Sequence, residues 1–325
     1  MRAVTYYEYG PPDILKIEEV LEPIPKENEV LVKVHAASIN FANPALVRGK
    51  PFIIRMMTGG LTKPRYPIPG SDLAGTVESI GPNVTEFKLG DEVYGDLSSS
   101  GFGTYAEYAA APVNMLAKKP SNLTFEEAAA VPQSGLVALQ GLRKGNIKKD
   151  QNVLIVGASA GNRTFAVQIA KSFEAEVTGV CSTRNIDLVC SIGADRVIDY
   201  TKEDFVKSRE LYDLIFATAG YRSILDYKKA LKPNGIYVMA GGTMSQVFQA
   251  MTGSLFAIGS GKTLTNLSQH QDKEDLAYMA ELIESGEVKP VIDTVYPLDQ
   301  VPEALKHYET GRARGKIIIS IQAGK

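Results

Sequence analysis

The sequence predicts an α/β protein of two domains, one rich in short strands and one doubly wound around a parallel sheet. Three observations carry this. A chain of 325 residues is long enough for two cores of ordinary size. Up to residue 120, short alternating runs are separated by Gly, Pro, Asp and Asn. From residue 121, strongly apolar runs alternate with helical periodicity, the pattern of strands covered on both faces.

The elements follow in order. "EVLVKVHAASI" alternates as a half-buried strand does, and "DLAGTVESIG", "GDEVYGD" and "GTYAEYAAAP" read as further strands. Between the first two, "RGKPFIIRMMTGGLTKPRYP" reads as a mobile excursion with apolar anchors and basic residues, a natural lid or cleft wall. The period turns helical at "LTFEEAAAVPQSGLVALQGL", where Thr124 is placed to cap and Glu126 and Glu127 suit the first turn. "NVLIVG", "EVTGVC", "RVIDY", "LYDLIFATAG" and "GIYVMAGG" are strands of the second domain. "RTFAVQIAKSF", "NIDLVCSIG" and "SILDYKKAL" are helices between them. The tail holds amphipathic helices in "DKEDLAYMAELIESGEV" and "PLDQVPEALKHYETG", then a strand, "GKIIISIQ". It is too short for a core of its own and is expected to fold back on the first domain. The expected domains are 1–120 with 263–325, and 121–262.

Composition narrows the function. With 44% hydrophobic and 22% charged residues, a formal net charge of -2 and a pI near 6.0, nothing calls for nucleic acid or an anionic membrane as partner. No apolar run approaches the roughly 20 residues of a membrane span. "MRAVTYYEYGPPD" lacks the apolar region of a secretory signal, so a cytoplasmic location is expected. Cys181 and Cys190 stand in one segment, and His35, His270 and His307 are far apart. Neither pattern is a metal clip, and no metal is expected.

"VLIVGASAGNRTFAVQIAKSF" reads as strand, glycine turn and helix. A pyrophosphate sits well at such a helix start, because unpaired backbone N–H groups and the dipole both favour an anion. The template G-x-G-x-x-G falls on Ala158, Ala160 and Arg163, so the strict match fails; Gly157 and Gly161 satisfy a looser turn that also includes Ser159 and Asn162. By itself such a turn fits a nucleotide site or a plain doubly wound turn. The next strand ends in Ser182, Thr183 and Arg184 rather than an acid, which suits the 2′-phosphate of NADP(H); a helix cap with a solvated arginine is the bland alternative. Tyr200 ends the third strand, within reach of an adenine, while Gly220, Gly241 and Gly242 stand at later carboxyl strand ends, where ligands lie in open sheets.

Taken together, "GSDLAGTVESIGPNVTEFKLGDEVYG", "GTYAEYAAAP", "EEAAAVPQSGLVALQGL", "VQIAKSFEAEVTGVCSTRN", "SIGADRVIDY" and "RARGKIIISI" resemble the medium-chain dehydrogenase/reductase superfamily over essentially the whole chain. The zinc-free quinone oxidoreductase branch, related to zeta-crystallin, is the nearest match. The resemblance implies a GroES-like domain completed by the C-terminal segment, a Rossmann-type cofactor domain between, and a homodimer through the latter. Zinc-dependent members carry Gly-His-Glu where this chain has Gly70, Ser71 and Asp72, and a cysteine near Ser38 to Asn40. Without zinc, the chemistry implied is transfer of reducing equivalents from NADPH to a quinone or to the C=C bond of an α,β-unsaturated carbonyl. By resemblance Asn40 is the catalytic cleft residue. Val131, Pro132 and Ser134 line the cofactor, and Phe41, Phe52, Ile53 and Met57 offer an apolar acceptor wall, with a core role as the alternative. Three departures stand out: Asn43 and Pro44 replace an "N-x-x-D" acid, Asn162 and Arg163 follow the turn glycine, and Glu174 replaces a glycine. They leave room for a second reading, a noncatalytic relative that has lost its cofactor and acts as a binding module.

Overall fold

The computed structural model describes residues 1–321 except Gly59, Arg209 and residues 242–248, 250–252 and 254–256. They form two compact units, Met1–Gln133 with Gln271–Glu284 and Pro290–Lys325, and Ser134–His270 with Ser285–Lys289.

In the first unit β1 (Arg2–Thr5) and β2 (Lys16–Glu19) form a small antiparallel pair. The main sheet starts with β3 (Glu29–Ser38). After it come two short helices, α1 (Ala42–Arg48) and α2 (Ile53–Met57), where a mobile excursion was expected. Then β4 (Asp72–Ile80), β5 (Glu92–Asp96), β6 (Tyr108–Pro112) and β7 (Leu116–Lys118) complete an antiparallel set. Helix α3 (Phe125–Ala129) opens on a capping box: the Thr124 hydroxyl accepts from the Glu127 N–H while the Glu127 carboxylate accepts from the Thr124 N–H.

Helix α4 (Pro132–Lys144) precedes the second unit's sheet of β8 (Asn152–Val156), β9 (Glu176–Cys181), β10 (Arg196–Asp199), β11 (Tyr212–Ala217), β12 (Leu231–Met239) and β13 (Thr263–Asn266). All pair in parallel in the order β10-β9-β8-β11-β12-β13. Winding reverses between β8 and β11, and at such a switch point ligands lie outside the carboxyl strand ends. Helices α5 (Asn162–Ser172), α6 (Ile186–Ser191) and α7 (Ile224–Ala230) connect the strands. Val153, Leu154, Ile155 and Val156 of β8 are all fully buried, as a central strand covered on both faces requires.

The tail returns to the first unit. Helix α8 (Lys273–Glu284) is seated there by the Tyr94 hydroxyl, which donates to the Leu276 carbonyl. Strand β14 (Ile292–Pro297) and helix α9 (Val301–Glu309) follow, and β15 (Lys316–Ser320) pairs with β3, so Ile318 faces Ser38. Val32, Val34, Leu73, Ile317 and Ile319 share one core.

Candidate functional site

In the first unit, register assembles a buried polar cluster around Asn40. Ser38 lies opposite Asp72 across β3 and β4, and opposite Ile318 on its other side, which places Lys316 beside the end of β3. The Ile39 N–H donates to the Ile317 carbonyl at 2.9 Å and holds that register. Lys316 Nζ donates to Asn40 Oδ1 at 2.6 Å and to the Ile39 carbonyl at 3.2 Å, and sits 3.5 Å from Asp72 Oδ2. Ser38 Oγ donates to that carboxylate at 2.9 Å, and the Gln133 N–H donates to its other oxygen at 3.3 Å. Asn40 Nδ2 donates to Ser71 Oγ at 3.1 Å.

Every member is enclosed: Ser38, Ser71 and Asp72 have no exposure, Lys316 has 2% and Asn40 has 4%. Burial pushes the Asp72 carboxyl up to about 6, partly opposed by the Lys316 charge, and pulls the Lys316 ammonium down. The Asn40 amide is thereby oriented. Its oxygen is taken by a cation, and its nitrogen donates to Ser71 Oγ and to the Asp72 carboxylate. Asn43, at the missing acid, supplies Oδ1 to the Asn40 N–H at 2.6 Å, while its buried Nδ2 has no partner. One acceptor oxygen does the local work there, so the amide stands in for the carboxylate.

Val131 and Pro132 are buried. Phe41, Phe52 and Ile53 are not core: they are 74%, 59% and 45% exposed. The side chain of Met57 and the whole of Gly242 lie outside the described residues.

In the second unit β8 delivers the chain into a turn that only small residues can make. Gly157 has φ +85°, and a Cβ there would come within 2.8 Å of the Ala219 methyl. Gly161 has φ +45° and precedes α5 with no side-chain cap; the Arg163 N–H donates to the Ala160 carbonyl at 2.9 Å. Ser134 is buried, with Oγ 3.9 Å from where a Gly161 Cβ would be. Ala158 and Ser159 are buried, and Ala160, Asn162 and Arg163 half-buried. Arg163 does not pry the helix from the strand: the tight contact is taken by Thr164 and Phe165, both fully buried, and Thr164 Oγ1 donates to the Gly161 carbonyl at 3.0 Å. At the far side of the sheet Gly220 N–H donates to the Gly241 carbonyl at 3.2 Å, and a Cβ on Gly241 would sit 2.5 Å from the Thr218 carbonyl oxygen.

Two residues missed in the sequence organise the neighbouring turn. Buried Asn185 donates to Ser159 Oγ at 2.8 Å and to Ser182 Oγ at 3.3 Å, joining the glycine turn to the end of β9; its own Oδ1 is orphaned. Asp199, ending β10, accepts from the Thr183 hydroxyl and from Thr201 Oγ1 at 2.7 Å. The Thr183 hydrogen bond leads in holding that carboxyl down to about 2. Thr183 therefore faces an acid from the next strand, while Arg184 is exposed and Ser182 half-buried. Tyr200 is exposed, its ring 5.7 Å from that of Tyr221. The helix start and the glycine cradle fit a bound dinucleotide phosphate, while the orphaned Asn185 oxygen is an acceptor and fits a donor such as a ribose hydroxyl. No local signal in "TRNIDLV" singles out Asn185; the signal for Lys316 was a charge opening the strand "KIIIS". Among the described residues, no group of three or more His, Cys, Asp or Glu is placed to hold a metal ion.

Comparison with known proteins agrees with this architecture. Residues 26–121 match the alcohol dehydrogenase GroES-like domain, and residues 192–319 match the family described as zinc-binding dehydrogenase. The 2-methylene-furan-3-one reductase of Solanum lycopersicum is 35% identical over 98% of this chain and 79% of its own length. The chloroplastic NADPH-dependent alkenal/one oxidoreductase of Arabidopsis thaliana is 33% identical over the same shares. The quinone oxidoreductase structure from Coxiella burnetii superposes with a TM-score of 0.89 at 28% identity, covering 99% of both chains. These relatives correct the expectation of a cytoplasmic location. Several are named chloroplastic or mitochondrial, pointing to an organelle. The expectation looked only for an apolar signal, whereas organellar leaders are amphipathic and Arg- and Ser-rich. The chain belongs to the medium-chain dehydrogenase/reductase superfamily, in its zinc-free quinone oxidoreductase branch, and is an oxidoreductase that takes a nicotinamide cofactor.

Proposed function

We propose that the protein reduces a quinone or the C=C bond of an α,β-unsaturated carbonyl with NADPH, without zinc, as a homodimer through its second unit. The second unit is the cofactor domain in this reading. The carrying observation is the oriented Asn40 amide, whose oxygen is held by Lys316 and whose nitrogen is held by Ser71.

The α5 start with Gly157, Ala158, Ser159, Ala160, Gly161, Asn162 and Arg163 would hold the pyrophosphate, with Ser134 beneath and Gly220 and Gly241 keeping the strand ends low. Ser182 and Arg184 would take the 2′-phosphate, and Tyr200 would stack at the adenine end. The Thr183 hydroxyl is already given to Asp199. When bound, the reduced cofactor supplies a hydride. Asn40 would turn an N–H from the Asp72 carboxylate to the acceptor oxygen as negative charge gathers there, strengthened because Lys316 polarises the amide from its oxygen side. Phe41, Phe52, Ile53 and Met57 would give the acceptor an apolar wall. Val131 and Pro132 back the site as part of the buried framework. An acceptor that is already electrophilic needs no more assistance than this for hydride addition, and solvent supplies the proton that completes the reduction. The names of the reductase and quinone oxidoreductase relatives support the substrate class, and that of the alkenal/one oxidoreductase supports NADPH.

Thermal melts with NADPH and NADH test the reading. NADPH at 100 times its dissociation constant is expected to add about 2.7 kcal/mol of stability. Arg184→Ala should weaken NADPH at least tenfold and NADH little, the loss of a charge-assisted phosphate contact. No stabilisation by millimolar NADPH overturns the reductase reading, and equal weakening of both nucleotides overturns the 2′-phosphate assignment.

A further inference from the structure

We propose that residues 41–71 of the first unit dock the protein on an anionic lipid surface. This goes beyond the reductase reading and stands without it. The chain has 37 acidic residues and a net charge of -2, yet none of those acids falls between Glu29 and Asp72. The segment instead carries Arg48, Lys50, Arg55, Lys63 and Arg65. It also exposes Phe41, Phe52, Ile53, Met56 and Leu61, each between 45% and 74%. An apolar set of this kind, left in water on a stretch of chain whose own charges are all cations, marks an interaction surface.

The segment is held in shape from inside the unit. Arg55 Nε donates to the Gly49 carbonyl at 2.9 Å, and its guanidinium lies 4.3 Å over the Tyr9 ring. The Tyr9 hydroxyl donates in turn to the Gly60 carbonyl, so the middle of α2 and the chain just after it are tied to one aromatic. Phe52, Ile53 and Met56 on and beside α2, and Leu61 just after Gly60, are thereby presented by one braced element. Arg55 is used in that brace, and Arg48 pairs with Glu309 of α9. Lys50, Lys63 and Arg65 are exposed and form no ion pair among the described residues.

Charge complementarity chooses the occupant. A bilayer with anionic headgroups offers an apolar interior to Met56 and Leu61, which the acceptor wall does not use, and a negative surface to the three cations, the two terms that drive interfacial binding. Docking there would also place the protein where a lipophilic acceptor is concentrated. The attachment is peripheral, since no helix among the described residues is long and apolar enough to cross a membrane.

Co-sedimentation of the full chain, without nucleotide, tests this. Vesicles of equal parts phosphatidylcholine and phosphatidylglycerol are expected to bind it at least tenfold more tightly than phosphatidylcholine alone. Reversing the charges in Lys50→Glu/Lys63→Glu/Arg65→Glu should reduce that binding more than tenfold, as a surface-potential contribution from each cation requires. Met56→Ser/Leu61→Ser should weaken it several-fold at a salt concentration that screens the charges. Thermal melts check that both variants stay folded. No preference for anionic vesicles, or a charge-reversed variant that binds like the parent, overturns the proposal. So does dissociation of a dimer by either variant in sedimentation equilibrium without vesicles, which assigns the face to a second copy. Because no cofactor or turnover enters, failure here leaves the reductase reading to its own test.

Discussion

The Asp72–Lys316 pair shows how one buried charge is used to aim an uncharged side chain. Each partner is disfavoured by burial, and each exists because the other and its hydrogen-bond donors are in place. Lys316→Met leaves the Asp72 carboxyl without its cation and is expected to cost about 3 kcal/mol or more near neutral pH. The double variant Lys316→Met/Asp72→Asn should regain most of that stability yet still lose turnover, because nothing then holds the Asn40 oxygen. Urea unfolding alongside steady-state kinetics separates the two effects; full turnover in the double variant would remove Lys316 from the positioning role. The pair also sets a pH dependence. Folded Asp72 loses its proton near 6, against about 3.9 in an unfolded chain. At more acid pH it is protonated in both states, and its contribution to stability is complete. As pH rises from about 4 towards 6 the unfolded chain ionises first, so that contribution is lost. The wild-type midpoint should carry this decline and the double variant should lack it.

Among the elements, α5 and its flanks explain two departures from the family pattern. Arg163 is accepted because the helix buries Thr164 and Phe165 against the sheet and leaves position 163 half-exposed. Glu174 closes the same helix with φ +57°, the left-handed backbone for which a glycine is the unstrained choice. Its carboxylate binds Lys149 Nζ at 2.7 Å, an exposed pair of small value. Glu174→Gly is expected to raise stability by about 0.5–1 kcal/mol, as relief of a left-handed side-chain residue outweighs that pair and glycine's greater chain entropy. A fall in the thermal midpoint would show that the Lys149 contact matters more than the backbone.

For the whole molecule, the proposed dimer can be checked directly. Strand β13 ends the second unit's sheet, and an edge strand offers unpaired backbone groups to a partner. Sedimentation equilibrium of the wild-type chain should give twice the monomer mass of 35.2 kDa at micromolar concentration; a monomer at every concentration would remove the homodimer. The vesicle experiment belongs to this scale as well. A net charge of -2 averages over an acid-free stretch, and so composition argued against a surface that local counting reveals.

Much of the protein was legible in its sequence because the signals are local. Strand alternation, the change of period after residue 121, the Thr124 cap and the glycine turn each involve neighbours within a few residues. They were enough for fold class and for the family. What only the tertiary structure decided is which distant residues meet. Lys316 reaches Asn40 across 276 positions because β15 lies beside β3 in one register, and Asp199 takes the Thr183 hydroxyl because β10 lies beside β9. Exposure of Phe41, Phe52 and Ile53, read as acceptor wall or core, was likewise beyond sequence. Periodicity tells which way a side chain faces within an element. Strand pairing and burial are set by the free energy of the whole packed unit, and they determine what that side chain finds there.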